Sequence, residues 1–150
     1  MNSLKFEIVR GEWLHPELNI GRDPGYRDSI FFSLNNQEAN AIVAFLSSDA
    51  HGTETCREWI HTIRLASIHP IFLVESFANA CRITVNPQGV RIENIYTDDI
   101  TELGLADMQI ILEKWLEFLE NGEPIEFSWE TPVKKYIYDE SIDAYVPAPE

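Results

Sequence analysis

The chain has 150 residues, of which 45% are hydrophobic, and 25 acidic against 11 basic side chains give it a formal net charge of −14. This length suits one domain, and the apolar fraction is large enough for a core, which excludes a disordered acidic tail. The charge argues against direct binding to nucleic acid or to an anionic membrane, because both require positive charge at the contact.

The acidic excess is uneven along the chain: residues 76–150 hold 15 acidic and 5 basic side chains. Such a surface suits a cationic partner, or it only keeps the protein soluble. Two cysteines, Cys56 and Cys81, do not make a disulfide framework. We find no signal-peptide pattern at the N-terminus and no apolar run near the roughly 20 residues of a membrane span. We therefore expect a cytoplasmic protein without membrane contact.

The first elements in chain order are two strands. Residues 4–9 nearly alternate apolar and polar side chains, which is typical of a half-buried strand. Residues 15–28 are rich in Pro, Gly, Asp and Asn and indicate an irregular connection. Residues 30–34 then predict a second strand.

Two helices should follow. Asn35 is a suitable N-cap with Glu38 at the capping-box spacing, and Gly52 is a suitable stop for the first helix. A second helix is predicted to open at Thr55 and to end before Pro70.

The second half has the clearest patterns. Residues 71–78 are ambiguous and weakly favour a strand. Residues 80–96 alternate on both sides of an Asn-Pro-Gln-Gly turn and predict a β-hairpin, either regular or with a bulge. Residues 105–119 carry an apolar helical stripe that stops at Asn121-Gly122, and residues 125–129 predict a short strand.

Strands on both sides of the helices, together with one clear hairpin, indicate an α+β fold. We expect a small antiparallel sheet, with its hairpin near residues 80–96, packed against two or three helices. The chain should form a single domain over residues 1–150, in which residues 131–150 are an acidic extended tail. Tyrosines in that tail are available to pack against the domain or a partner.

Candidate catalytic and metal-binding residues form no complete motif. Glu58 and His61 have the Glu-x-x-His spacing of di-iron bundles, but only one copy is present. A zinc site of Cys56, Cys81, His51 and His61 lacks the usual close ligand pairs. We therefore predict no catalytic residue, no metal and no cofactor; the least implausible enzyme would use Cys56, Glu58 and His61.

Four acidic residues lie between the predicted hairpin and the last helix: Asp98, Asp99, Glu102 and Asp107. Proximity to a helix N-terminus explains one or two of them, because the helix dipole favours negative charge there. Four acids within ten residues exceed what capping needs. We predict these four as partner-binding residues, since an acidic face accelerates association with a basic partner.

Residues 81–95, the acidic connection and the amphipathic helix with Trp115 near its end resemble small bacterial immunity proteins of polymorphic toxin systems, including contact-dependent inhibition systems. The resemblance implies a cytoplasmic acidic protein that binds a cognate toxin domain, often a basic nuclease, and neutralises it. The alternatives are an acidic nucleic-acid mimic, an adaptor subunit of a larger complex and, least favoured, a small enzyme.

Overall fold

The computed structural model describes residues 2–12, 26–34, 40–97, 99–129 and 134–147. In chain order the elements are β1 (Asn2–Glu12), β2 (Tyr26–Leu34), α1 (Asn40–Ala44) continued by a π-helical turn (Phe45–Asp49), α2 (Thr53–Ile68), β3 (Val74–Phe77), β4 (Cys81–Asn86), β5 (Gly89–Asn94), β6 (Ile100–Leu103), α3 (Leu105–Asn121), β7 (Ile125–Trp129), β8 (Lys134–Asp139) and β9 (Ala144–Pro147).

The strands form two antiparallel sheets, one in the order β2-β1-β7 and one in the order β3-β4-β5-β6-β8-β9. The helix α3 contacts both sheets, through β7 and β5, and also packs along α2. The predicted α+β class is confirmed, with the residue 80–96 hairpin at the centre of the larger sheet. No helix in the described ranges is both long and apolar enough to cross a membrane.

The last helix forms as its sequence pattern predicts. Its buried side chains, Met108, Ile111, Leu112, Trp115 and Phe118, recur at helical spacing. Gly122 follows with a φ of 71°, and its N–H donates to the Phe118 carbonyl at 2.8 Å. Glycine ends a helix this way because it adopts the left-handed conformation without a Cβ penalty.

Among the described residues Trp115 is the largest fully buried side chain, and it joins three parts of the fold. Its ring meets the Phe6 ring of β1 edge-on at 5.0 Å and stacks on Phe118 at 5.7 Å. Its indole N–H donates to the Ala50 carbonyl at 2.7 Å, just after the π-helical turn. The indole therefore buries a large apolar area and still satisfies its polar atom.

The helix boundaries differ from the sequence predictions. Gly52, expected to stop the first helix, instead occupies the N-cap position of α2, which begins at Thr53 rather than Thr55. Gly suits both a helix start and a helix end, so its presence alone does not distinguish them. The predicted cap at Asn35 and Glu38 lies outside the described residues, and so does the predicted connection except for residues 26–28, which open β2.

The central hairpin of β4 and β5 is regular. Its register runs from Cys81 opposite Asn94 to Asn86 opposite Gly89, without a bulge. The Asn86 side chain accepts the Gln88 N–H at 2.9 Å and closes the two-residue turn. Val90, Ile92 and Asn94 are buried on one face, as predicted, while Arg91 and Glu93 occupy the opposite face of β5.

The segment expected to be an extended acidic tail, residues 131–150, forms a second hairpin over its described part. β8 pairs with β6 from Ile100 opposite Tyr136 to Glu102 opposite Lys134, and β9 pairs with β8. The Tyr136 hydroxyl donates to the Glu102 carboxylate at 3.2 Å. This correction has a physical reason: β6 offers an open side of backbone groups, and Tyr136 supplies a partner for Glu102.

We predict that Gly89→Ala destabilises the fold by about 1–3 kcal/mol, because Gly89 has a φ of 147° that alanine rarely adopts. The added methyl would also approach the Leu103 backbone oxygen to 2.6 Å. Urea unfolding measures the loss. Gly104→Ala is the matched control, because nothing lies within 4 Å of its Cβ position. Equal stability of the two variants would contradict the prediction.

Candidate functional site

The structure separates the acids predicted to bind a partner. Asp98 lies outside the described residues. Asp99 precedes β6 and accepts a hydrogen bond from the Thr97 hydroxyl at 2.9 Å. Glu102 lies within β6, and Asp107 lies in the first turn of α3.

The strand β6 holds these three acids apart. A strand rises roughly 3.3 Å per residue, so Asp99 and Asp107 lie beyond opposite ends of β6. Glu102 projects from the middle of the sheet, opposite Arg91, on the face that lies away from the buried core residues of β5. Asp99, Glu102 and Asp107 are close in sequence but therefore lie on three different parts of the surface.

The end of the larger sheet near Asp99 carries further acidic residues. β6 pairs with β8 only as far as Ile100 opposite Tyr136, so residues 137–146 of the β8–β9 hairpin extend beyond β6. The hairpin turn adds three carboxylates, from Asp139, Glu140 and Asp143. Acids distant in sequence from Asp99 thus lie at the same end of the sheet.

Exposed apolar side chains accompany these acids. Tyr96 is 76% exposed and Ile142 is 61% exposed, and three more large apolar residues nearby are also exposed. We call this surface the hairpin end, and it comprises Ile95, Tyr96, Asp99, Ile137, Tyr138, Asp139, Glu140, Ile142 and Asp143. Exposed apolar side chains clustered with charges are typical of a protein-binding surface.

Local hydrogen bonds order the hairpin turn. The Asp139 carboxylate accepts the Ser141 N–H at 2.9 Å and the Ser141 hydroxyl at 2.6 Å. Asp143 has a φ of 49°, a left-handed conformation that Asp tolerates better than most residues. The Tyr138 hydroxyl donates to the Asp143 carboxylate. A turn ordered before binding loses less conformational entropy when a partner docks.

These hydrogen bonds also set the charge of the turn. The Ser141 hydroxyl and then the Ser141 N–H lower the pKa of Asp139, so its carboxylate stays ionised. The hydrogen bond to Asp143 raises the pKa of Tyr138, which stays protonated at neutral pH. No basic residue occurs in the sequence from residue 136 to residue 147. The turn is therefore negative, and the nearest basic residues in its own hairpin are Lys134 and Lys135 at the start of β8.

The acids of α3 are in a different situation. Three of its glutamates lie within 4.0 Å of a basic side chain. The pairs are Arg57–Glu120 at 2.7 Å, Arg64–Glu113 at 3.5 Å and Lys114–Glu117 at 3.7 Å. Exposed pairs such as these contribute only about 0–1 kcal/mol to stability. They do, however, neutralise this helix face locally.

A groove of about 640 Å³ lies on the uncovered face of the six-stranded sheet. Its charged side chains are those of Glu75, Arg82, Arg91, Glu93 and Glu102. Cations and carboxylates are mixed there, so the groove does not select strongly for one sign of charge. The alternation of buried and polar residues in β4 and β5 was the sequence signal for this uncovered face.

The residues of the enzyme alternative do not converge. Cys56 is buried, its thiol points at the Leu112 carbonyl at 3.3 Å, and burial raises its pKa to about 11. Burial likewise raises the pKa of Cys81 to about 12. Glu58 and His61 are exposed on α2, and five residues of helix turn His61 roughly 140° away from Cys56. Within the described ranges, no three His, Cys, Asp or Glu side chains are grouped as metal ligands.

The sequence did contain a signal for the hairpin end. Tyr136, Ile137 and Tyr138 form a short apolar run, and an acidic turn that contains Ser141 follows it. Such a run followed by a polar turn is typical of a hairpin. The high acidity of the segment nevertheless favoured an interpretation as a solvated tail.

We predict that Asp143→Asn lowers the pKa of Tyr138 towards the ordinary tyrosine value of 10.0, because the variant removes the charged acceptor. Because the pKa of Tyr138 is raised in the folded protein, its hydrogen bond to Asp143 stabilises the hairpin fully at pH values below the ordinary tyrosine pKa. This stabilisation is lost as the pH rises through the raised pKa of the folded protein. NMR titration of the tyrosine ring carbons measures the pKa, and urea unfolding at pH values below and above that pKa measures the loss of stability. Tyr136, whose pKa is raised by Glu102, is the internal control and should not change. An unchanged Tyr138 titration in the variant would count against the contact.

Comparison with known proteins finds no family model, no curated protein and no solved structure that matches this chain. Any role of the hairpin end is therefore inferred from its own chemistry.

Proposed function

We propose that the protein binds a basic protein partner through the hairpin end and inhibits it, as an immunity protein neutralises its cognate toxin. One observation carries the proposal: a projecting hairpin, whose sequence has no basic residue from residue 136 to residue 147, presents acids beside exposed apolar side chains. A basic nuclease domain is the partner class implied by the resemblance of residues 81–119 to immunity proteins.

The apolar side chains supply the anchors of the interface. Tight interfaces concentrate their energy in a few buried aromatic or aliphatic residues, and tyrosine is enriched among them. Tyr96 and Tyr138 carry hydroxyl groups whose hydrogen bonds, to the Asn79 carbonyl and to Asp143, restrain their rings. Restrained rings lose less rotamer entropy on binding than free ones.

The carboxylates supply charge complementarity. Asp99, Asp139, Glu140 and Asp143 match lysine and arginine side chains that a nuclease uses to bind phosphates. Such complementarity raises the association rate and makes it depend on ionic strength. A projecting hairpin also fits a concave active site better than a flat surface does. Inhibition then follows because the hairpin and the nucleic acid compete for the same cations.

The alternatives fit the geometry less well. A nucleic-acid mimic needs carboxylates spaced like phosphates along one face, but α3 pairs its glutamates with Arg57, Arg64 and Lys114. An adaptor subunit would use the same hairpin end without inhibiting its partner. An enzyme would need Cys56 to meet His61, and the two lie on different faces of α2.

We predict that Glu140→Lys with Ile142→Ala weakens binding of the partner about tenfold or more and reduces the salt dependence of the association rate. The partner is co-purified from the native host, identified by mass spectrometry and produced separately for the kinetic measurement. Glu58→Lys is the control, because Glu58 is an exposed acid on α2 and makes the same change in charge.

A second pair of variants compares two of the acids that were predicted to bind a partner. Asp99→Asn should slow association, whereas Asp107→Asn, beyond the opposite end of β6, should leave it unchanged. The readout of inhibition is growth of cells that express the partner together with each variant. The proposal fails if the hairpin variants bind and protect as well as the unaltered chain does.

A further inference from the structure

We infer that a second copy of this chain pairs with the open edge of β3, antiparallel about a two-fold axis at Ser76, so that the six-stranded sheet continues across two chains. This goes beyond the proposed function, because β3 and β9 are the opposite edges of that sheet. The β8–β9 part of the hairpin end, residues 137–143, would remain free to bind its partner in such a dimer.

On the side of β3 away from β4, no described strand pairs with its backbone. Among the described strands β3 pairs only with β4, with Ser76 opposite Ile83. The Ala78 N–H donates to the Cys81 carbonyl at 3.1 Å, which identifies the hydrogen-bonded positions of the ladder. Because these positions alternate, Ser76 points its N–H and C=O towards β4. Glu75 and Phe77 therefore point theirs outwards, where another strand can pair with them.

Exposed apolar side chains surround this edge. Phe77 is 69% exposed and Ile71, in the connection that leads to β3, is 93% exposed. Ile68 and Leu73 are exposed in the same segment. Proteins usually protect an edge strand with charges, proline or a covering element, so an open edge beside apolar side chains favours association.

The charges beside the edge are self-complementary in the inferred arrangement. With the axis at Ser76, Phe77 of one chain lies opposite Glu75 of the second copy. Arg82 lies opposite Phe77 in β4, and its guanidinium is 5.0 Å from the centre of the Phe77 ring. The arginine thus extends towards the edge and the incoming carboxylate. The two-fold axis repeats this contact, which makes two Arg82–Glu75 pairs in each dimer.

Neither charge has a competing ion pair in the described part of the chain, where Arg82 and Glu75 form none. Other registers of the two β3 strands pair Arg82 and Glu75 less well. An axis at Glu75 places two carboxylates directly opposite each other, which is destabilising. An axis at Phe77 places Glu75 opposite Asn79 of the second copy. Only the axis at Ser76 brings opposite charges together on both sides.

The experiment is sedimentation velocity of the full chain over a range of concentrations. The unaltered protein should shift from one chain of 17.3 kDa to a species of two chains. Glu75→Lys alone and Arg82→Glu alone should each weaken self-association about tenfold, because each places like charges in both contacts.

An equal mixture of these two variants is the decisive sample. In the mixed dimer both contacts again join opposite charges, so the mixture should associate more tightly than either variant alone. A contact within one chain cannot produce this rescue. Glu58→Lys, at an exposed position of α2, is the control for charge and should dimerise like the unaltered chain.

Two results would overturn the inference: a single-chain mass at every concentration, or a mixture no better associated than its components. Either result leaves the partner-binding proposal standing, because the Glu140 and Ile142 variants test that proposal separately. Conversely, the unaltered chain can dimerise while the Glu140 and Ile142 variants bind the partner as tightly as it does. That result supports the inference and contradicts the proposed function.

Discussion

The burial of Trp115 against β1 and the segment that follows the π-helical turn is the constraint on which the rest of the structure depends. Its ring contacts Phe6 of the smaller sheet, and its N–H is held by the Ala50 carbonyl. The helix that carries it contacts strands of both sheets and begins immediately after β6. The position of β6 relative to the core is thereby set, and with it the position of the β8–β9 hairpin that β6 supports. The hairpin end is thus a consequence of how α3 packs.

The large negative charge has different roles in different places. On α3 the three glutamates lie beside the bases of α2 or of α3 itself, so they add little net field. On the uncovered sheet face, Glu93 and Glu102 alternate with Arg82 and Arg91. The hairpin turn combines three acids with a sequence that has no base from residue 136 to residue 147, and it lies beside exposed apolar side chains. A net charge of −14 therefore says less about binding than the local arrangement does.

The two edges of the six-stranded sheet differ in how strongly they discourage pairing with a further strand. The β9 edge ends in Pro147, lies beside the acidic turn, and so discourages a further strand. The β3 edge has a single outward-facing charge, Glu75, and apolar side chains around it. This asymmetry favours one site for a partner of opposite charge and another for a chain of the same kind. The two edges lie at opposite sides of the sheet, so the inferred β3 pairing and the proposed contact of the β8–β9 turn would not overlap.

The sequence by itself determined the elements whose signals are local. The helical stripe of α3 with its glycine stop, and the alternation of β4 and β5, depend on residues within a few positions of one another. Gly52 alone did not distinguish a helix end from a helix start. Only the tertiary structure decided that Glu102 meets Tyr136 and that β6 keeps Asp99 apart from Asp107. Periodicity shows which side chains are buried, but not which distant strand lies beside them, because that choice depends on the packing of the whole core.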